Sequence, residues 1–379
     1  MQNAAPSGRP VWLLVTVLSV IGIGAYLGNE RAIYFWDLTE YVQALDTDFP
    51  YRYDEPYPFL YPPFALDLFK LTRSHLFELM TIGHVAAAAI FLGAFSRLPA
   101  RRKFEWLAGV TAVGGLGVVS LLAGNVGALM NLVLLGVLLA AASGASVARW
   151  LLPVVIGFGS LIKPQFVLYL GLLLAVEHSR SMAIAKGAVT ALAAAVVHGA
   201  YYLLRPADWN EYAQAVVKRT VVERDFGWGP AAFMMHFSQS SAAGAAGYLL
   251  ALAIAAALAY VAWRKRVAAA VPDSAAFVAA LAFVVLTFAN PRIPLYDLYA
   301  AALAVGVCCA LSEDDRRLPL VLAALIAAGL LPWLIANFTR APTTYSWVTT
   351  NLLHFHLLGI FGLLAGLAMT GYNRGRQRL

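Results

Sequence analysis

Carboxylates and aromatic rings alternate along one polar stretch near the start of the chain. It runs through Trp36-Asp37-Leu38-Thr39-Glu40-Tyr41, then Asp46-Thr47-Asp48, Tyr51-Arg52-Tyr53-Asp54-Glu55 and Tyr57-Pro58-Phe59-Leu60-Tyr61-Pro62-Pro63-Phe64. Aromatic faces stack on sugar rings and carboxylates accept hydrogen bonds from hydroxyls, so the pattern suits a carbohydrate ligand. Asp37 follows the apolar-aromatic run Ile33 to Trp36, which sets its carboxylate at the mouth of a cavity. Partial burial there raises the pKa of a carboxylate toward that of a useful base. Glu40, three residues on and on the same face of a helix, is the nearest rival or an acceptor-orienting partner. The competing reading is an interfacial belt of Trp and Tyr with solvated acids. Asp46-Thr47-Asp48 has the form of a short metal-binding motif, but the pattern arises readily by chance; we expect no metal and no cofactor.

Ionisable residues inside apolar segments are the next candidates, because lipid penalises them unless they serve a function. They are few: Lys163, Arg292, Asp297, His84 and His198. Lys163 and Arg292 fall at predicted helix ends on one side, where two fixed cations suit a phosphate or diphosphate; snorkelling to the interface is the alternative. His84 and His198 read as helix-packing hydrogen bonders. Cys308 and Cys309 are adjacent and cannot form an ordinary structural disulfide with each other, and no zinc-ligand spacing occurs.

The elements that must position these groups follow from hydropathy. The chain has 379 residues, 61% apolar and 12% charged, with mean hydropathy +0.72. Soluble domains are about 45–50% apolar and about 25% charged. Apolar runs long enough to span about 30 Å of hydrocarbon recur throughout, and they lack the alternation of a membrane β-barrel. We therefore expect an all-α, polytopic membrane protein of about ten to twelve transmembrane helices. The runs lie near 11–27, 76–96, 105–123, 126–144, 150–162, 164–177, 184–204, 243–263, 274–290, 295–311, 318–336 and 350–371. They form a single domain over 1–379 with polar loops at 28–75 and 205–241. The first run has no convincing cleavage site and reads as a retained helix.

Basic residues set the orientation. With the N-terminus inside and twelve passes, loops bearing Arg97, Arg101, Arg102, Lys103, Arg149, Arg180, Lys186 and Arg264-Lys265-Arg266 face the cytoplasm. Together with the remaining inner basic residues and six acids, that side carries +10 and the outer side −3, which sum to the formal +7. The positive charge is thus a topology signal, and nucleic acid is not an expected partner. The run from Trp150 to Val176 is too long for one span and too short for two, and Lys163-Pro164 interrupts it. Two half-helices meeting at Lys163 preserve the charge partition; one long proline-kinked helix is the alternative. Both large loops then lie outside. From Asp208, a reasonable N-cap, to Asp225 the second loop reads as an interfacial helix with Lys218, Arg219 and Arg224 around it. A simple amphipathic lid is the other reading.

Taken in order, these motifs resemble a known family: Asp37-x-x-x-Tyr41, the Tyr61-Pro62-Pro63-Phe64 turn, Gly124-Asn125 with Asn131, Lys163-Pro164-Gln165 and Asn290-Pro291-Arg292. The chain is similar to glycosyltransferase family 87, the polyprenol-phosphate-mannose-dependent mannosyltransferases of the GT-C superfamily, over nearly its whole length. The resemblance implies an all-helical, multi-pass enzyme of the bacterial cytoplasmic membrane with its active site outside. It implies an inverting transfer of a hexose, expected to be mannose, from a polyprenyl-phosphate-sugar donor to a glycolipid or cell-envelope glycan. Asp37 occupies the place of the expected acidic residue. Lys163, Arg292 and Arg224 become candidates for the donor phosphate. Tyr41, Tyr61, Asn125, Asp297, Trp228 and His236 become candidate substrate contacts. Some members carry a histidine in the segment corresponding to Asn290–Asp297; this chain has Tyr296 and Asp297 instead. An O-antigen-type ligase or polymerase, or a transporter or flippase of lipid-linked sugars, are the competing functions. Transporters tend to show internal repeats, and none is evident.

Overall fold

The computed structural model describes residues 9–29, 35–47, 50–51, 59–223, 225–238, 240–268, 274–312, 317–339 and 342–369. Among these the chain is nearly all helical, and its β pairing is a single bridge between Gly227 and Ile293. Among the described residues three helical stretches are long and apolar enough to cross a membrane: Pro63–Ser96, Arg180–Leu204 and Ser241–Arg266. A bent pair, Lys103–Ala112 with Leu116–Leu122, makes a fourth if taken as one span.

In chain order the helices are α1 (Arg9–Asn29), α2 (Trp36–Leu45), α3 (Pro63–Thr72), α4 (Leu76–Ser96), α5 (Lys103–Ala112), α6 (Leu116–Leu122), α7 (Val126–Ala142), α8 (Ser146–Ile162), α9 (Leu173–Val176) and α10 (Arg180–Leu204). There follow α11 (Pro206–Val217), α12 (Pro230–Phe237), α13 (Ser241–Ala268), α14 (Ser274–Phe288), α15 (Leu295–Ala310), α16 (Arg317–Thr339) and α17 (Pro342–Met369). Proline opens α3, α11 and α12, where its missing N–H would be unpaired anyway.

The core is built on α7 and α15. Apart from Asn131 in α7 and Asp297 near the start of α15 both are largely apolar all round, and most of their residues are buried. α7 packs against α4, α8, α14 and α15, and α15 also packs against α5, α6 and α17. The polar N-terminal turns of these two helices, at Asn125 and at Tyr296-Asp297, therefore lie at the floor of whatever opens at that end.

The opposite ends carry basic residues paired across connections. Lys103 Nζ donates to Leu98 O at 2.7 Å, and Lys186 meets Glu177 at 2.6 Å. Arg149 contacts His178, Arg266 donates to Leu311 O at 2.9 Å, and Lys265 donates to Ala368 O.

Several boundaries differ from the sequence reading. The run 105–123 is not one helix: a 3-10 turn at Val113–Gly115 splits α5 from α6 with an 81° bend. Gly115 sits at φ 75°, a left-handed conformation that ends a helix. α8 stops at Ile162, Lys163 is extended at φ −130° and ψ 99°, and the chain resumes as a 3-10 helix, Pro164–Leu172, packed against α8. The break at Lys163 stands, but its second half is mostly 3-10 rather than α. Loop 28–75 contains α2 and α3, and α3 runs through a 3-10 turn, Arg73–His75, into α4. Asp208 is not an N-cap: α11 begins two residues earlier at Pro206, and Asp208 in its first turn pairs with Arg205 at 2.5 Å.

Candidate functional site

A polar cavity of about 570 Å³ opens where the N-terminal turns of α2, α7 and α15 meet the C-terminal end of α8. That is the volume of a small-molecule site. α2 is placed by its first residues: Phe35 N–H donates to Leu122 O at 2.7 Å and Asp37 N–H to Ala123 O at 3.1 Å, hooking it to the end of α6. Gly124 makes this possible. It sits at φ 67°, and a Cβ there would lie 2.1 Å from Phe35 Cδ1.

Asn125 then does two things. Its Oδ1 accepts from Gly127 N–H at 2.7 Å and caps α7. Its Nδ2 donates to Asp37 Oδ2 at 2.5 Å, to Tyr41 Oη at 2.6 Å and to Tyr61 Oη at 3.3 Å. Tyr41 and Tyr61 hydroxyls are 2.6 Å apart. Tyr296 Oη also donates to Asp37 Oδ2. Asp37 is thus a buried carboxylate on the cavity wall, oriented by two donors from the N-termini of α7 and α15. Burial raises its pKa above the ordinary carboxylate value, and the donors Tyr296 and Asn125 and the Lys163 charge hold that rise in check. Glu40, half-buried on the same wall, is also raised, by burial and by the Asp37 charge.

Lys163 reaches the cavity from the end of α8. Its ammonium is buried and has no hydrogen-bond partner among the described residues. The nearest carboxylate, Asp297 Oδ1, is 3.6 Å away and is itself held by Asn131 Nδ2 at 2.5 Å. Gly127 leaves the space for it: a Cβ there would lie 2.1 Å from Lys163 Nζ. A buried ammonium that is paired with a carboxylate at 3.6 Å but makes no hydrogen bond among the described residues, between two helix N-termini, has donors to offer an anion.

The opposite rim comes from the second polar loop. Asp225 binds two arginines, Arg219 Nε at 2.5 Å and an Arg292 guanidinium nitrogen at 3.2 Å. Burial pushes its pKa up, but Arg292, the Gly227 N–H and Arg219 outweigh that and hold the carboxylate below the usual range. The bridge at Gly227 fixes the loop: Trp228 N–H donates to Ile293 O at 2.8 Å and Ile293 N–H to Phe226 O at 3.1 Å. Gly227 sits at φ 72°, and a Cβ would meet Ile293 O at 2.2 Å.

The cavity therefore gathers Asp37, Glu40, Tyr41, Tyr61, Asn125, Lys163, Trp228 and Arg292 from the sequence candidates. Arg292 lines the cavity with its guanidinium engaged by Asp225. Two candidates need correction. Asp297 does not line the cavity; it stands behind Lys163. His236 is exposed at the end of α12 with its ring against Phe237, away from the cavity, because α12 turns off toward α13. Arg224 lies outside the described residues, as do Arg52, Asp48, Asp54 and Glu55. Asp46 pairs with Arg73 outside the cavity. Among the described residues no three His, Cys, Asp or Glu side chains come together as a metal site. His198 of α10 bonds across to Ser160 O of α8 at 3.0 Å, as a helix-packing residue would, whereas His84 bonds to Met80 O of its own helix at 2.7 Å.

Residues that sequence reasoning left out of the site are Trp36, Gln165, Tyr212, Arg219, Asp225 and Tyr296. Gln165 belongs to the Lys163-Pro164-Gln165 motif, Tyr296 adjoins the candidate Asp297, and Arg219 was read as a loop cation. Nothing local marks Asp225 as the partner of Arg292. No family model or curated protein matches the sequence, and no solved structure matches the fold.

Proposed function

We propose that the chain is a polytopic membrane glycosyltransferase that moves a hexose from a polyprenyl-phosphate donor to a glycolipid or glycan acceptor outside the cytoplasmic membrane. The observation that carries this is one cavity holding an oriented, buried carboxylate and a buried ammonium with no hydrogen-bond partner among the described residues, between aromatic walls. The arrangement of ends supports the twelve-pass orientation. The cavity draws on connections that the charge partition puts outside, at 36–61, 125, 162–165, 212–228 and 292–294. The paired basic residues at the far ends of α7, α8 and α15 belong to connections it puts inside.

The chemistry runs as a single displacement. The acceptor hydroxyl gives its proton to Asp37, its oxygen forms the bond to the sugar C1, and the C1–O bond to phosphate breaks with its electron pair leaving on the phosphate. Asp37 acts as general base, a role worth about 10²–10⁴-fold. Lys163 stands ready for the charge that develops on the leaving phosphate. Trp36, Tyr212 and Trp228 offer rings for the sugar. The Arg219–Asp225–Arg292 cluster sets the outer rim.

The test is a screen of polyprenyl-phosphate hexoses with purified protein in detergent, native lipid extract as acceptor, and mass spectrometry of the products. A hexose-bearing product that disappears in Asp37→Asn supports the reading. Donor that stays intact with every sugar, while reconstituted vesicles move it across the bilayer, replaces the transferase with a flippase.

A further inference from the structure

One hydroxyl hydrogen at the head of α7 has no acceptor among the described residues. The Asn125 amide nitrogen carries two hydrogens. Its near acceptors are Asp37 Oδ2 at 2.5 Å and Tyr41 Oη at 2.6 Å, with Tyr61 Oη more distant at 3.3 Å. Both amide hydrogens are thus committed, and an amide nitrogen accepts nothing in return. The Tyr41 and Tyr61 hydroxyls lie 2.6 Å apart, and either is able to donate to the other. Burial raises the pKa of both, so each keeps its hydrogen. The pair therefore holds two hydrogens, and the bond between its oxygens uses one. Neither hydroxyl makes a further hydrogen bond among the described residues. Whichever tyrosine donates to the other, one O–H remains.

Both tyrosines line the polar cavity, and their rings are otherwise boxed in. They meet edge-on with centroids 5.4 Å apart, and Phe59 and Phe69 pack against both. The box and the capping Asn125 fix the two oxygens before a ligand arrives. A buried donor left unpaired is costly, so an oxygen in the cavity is its fitting partner. The pair is also tied to the base. Asp37 Oδ2 and Tyr41 Oη bond to the same nitrogen, so they lie within two hydrogen-bond lengths of each other. Hydroxyls on neighbouring carbons of a sugar or cyclic polyol match that scale: one gives its proton to Asp37, and the oxygen of the next accepts from the tyrosine pair.

We propose that the Tyr41–Tyr61 pair recognises the acceptor, donating its remaining hydrogen to the hydroxyl oxygen next to the one that attacks. The acceptor is then a vicinal diol of a sugar or cyclic polyol. The proposal rests on the transferase reading and adds which acceptor chemistry the cavity selects. Asn125 joins the pair to Asp37, the group that meets the acceptor, which favours the acceptor over the donor sugar as the molecule read.

Linkage analysis of the product that the wild type forms from native lipid extract should place the new bond on a hydroxyl with a free hydroxyl on the neighbouring carbon. A bond to a hydroxyl with none beside it overturns the proposal, and no product with any polyprenyl-phosphate hexose overturns the transferase reading itself. This measurement uses the wild type alone and does not depend on how variants fold. With the acceptor purified from that extract, initial rates are then compared for Tyr41→Phe, Tyr61→Phe and the double variant. Each single variant still holds one hydroxyl hydrogen, so acceptor kcat/KM should fall less than about tenfold. The double variant holds none and should fall about tenfold or more beyond the product of the two single effects. Losses that simply multiply point to packing and overturn the proposal. A synergistic loss confined to donor KM shows that the pair reads the donor sugar and overturns it as well.

Discussion

Lys163→Met should separate stability from donor use. In the wild type the ammonium and Asp297 Oδ1 are 3.6 Å apart and both residues are almost fully buried. At an effective permittivity of about 20, that separation corresponds to about 5 kcal/mol of attraction, much of it offset by desolvation of both ions. Removing the ammonium leaves a buried carboxylate with the Asn131 amide as its described donor. Orphaning one member of a buried pair costs about 3–5 kcal/mol, and that is the destabilisation expected for Lys163→Met. Adding Asp297→Asn removes the orphaned charge, so the double variant should recover most of the stability. It should not recover donor use. A charge-assisted bond from Lys163 to the donor phosphate is worth about 1.5–3 kcal/mol, so without it donor KM should rise about 10- to 150-fold. Chemical denaturation in detergent, followed by tryptophan fluorescence, reads the first quantity, and initial rates read the second. A double variant that binds donor as the wild type does would refute the phosphate role. A single variant as stable as the wild type would refute the buried pair.

The remaining predictions concern the base, the rim and the orientation. Asp37→Asn should lower turnover about 10²-fold or more, with Glu40→Gln costing less; the reverse order would move the base to Glu40. The base must be ionised, so activity falls as pH drops through the raised pKa of Asp37, and the acid limb of kcat/KM should lie above that of a free aspartate. Tyr296→Phe removes a donor that favours the charged form, so it should move that limb further alkaline; a limb that stays in place would remove Tyr296 from the base's surroundings. Gly227→Ala forces a left-handed position and a clash with Ile293 O, at a cost of about 1–3 kcal/mol from the backbone alone. It should raise donor KM by releasing Asp225 from Arg292, and unchanged kinetics would show that the bridge does not hold the rim. Single cysteines at Lys218, Arg102 and Lys265 in intact cells should label with an impermeant reagent only at Lys218; labelling at Lys265 would overturn the twelve-pass orientation.

Much of the candidate site was legible because its signals are local. Asp37 stands out as an acid after an aromatic run, Lys163 as a charge before a proline in an apolar segment, and Asn125 as a polar cap after glycine. Each acts within a few residues of its own backbone. The glycines at 124 and 127 mark close approaches, although what approaches them, Phe35 and Lys163, is not visible in the chain. Arg292 and Asp297 were recognisable as unusual residues, but their partners, Asp225 for the first and Asn131 and Lys163 for the second, were not visible in the chain.

By itself the sequence determined a nearly all-helical chain with apolar helices, the break at Lys163 and the acid that opens α2, because hydropathy, proline and glycine act over one turn of backbone. Only the tertiary structure decided which charges are free. Asp37 receives the Tyr296 hydroxyl from 259 residues away, Asp297 receives Asn131 from 166 away, and Asp225 takes Arg292 from 67 away. Those pairings depend on how α7 and α15 pack at the core and on the bridge at Gly227. Buried polar groups must find partners wherever packing delivers them, and in this cavity the one side chain left as a cation without a hydrogen-bond partner among the described residues is Lys163.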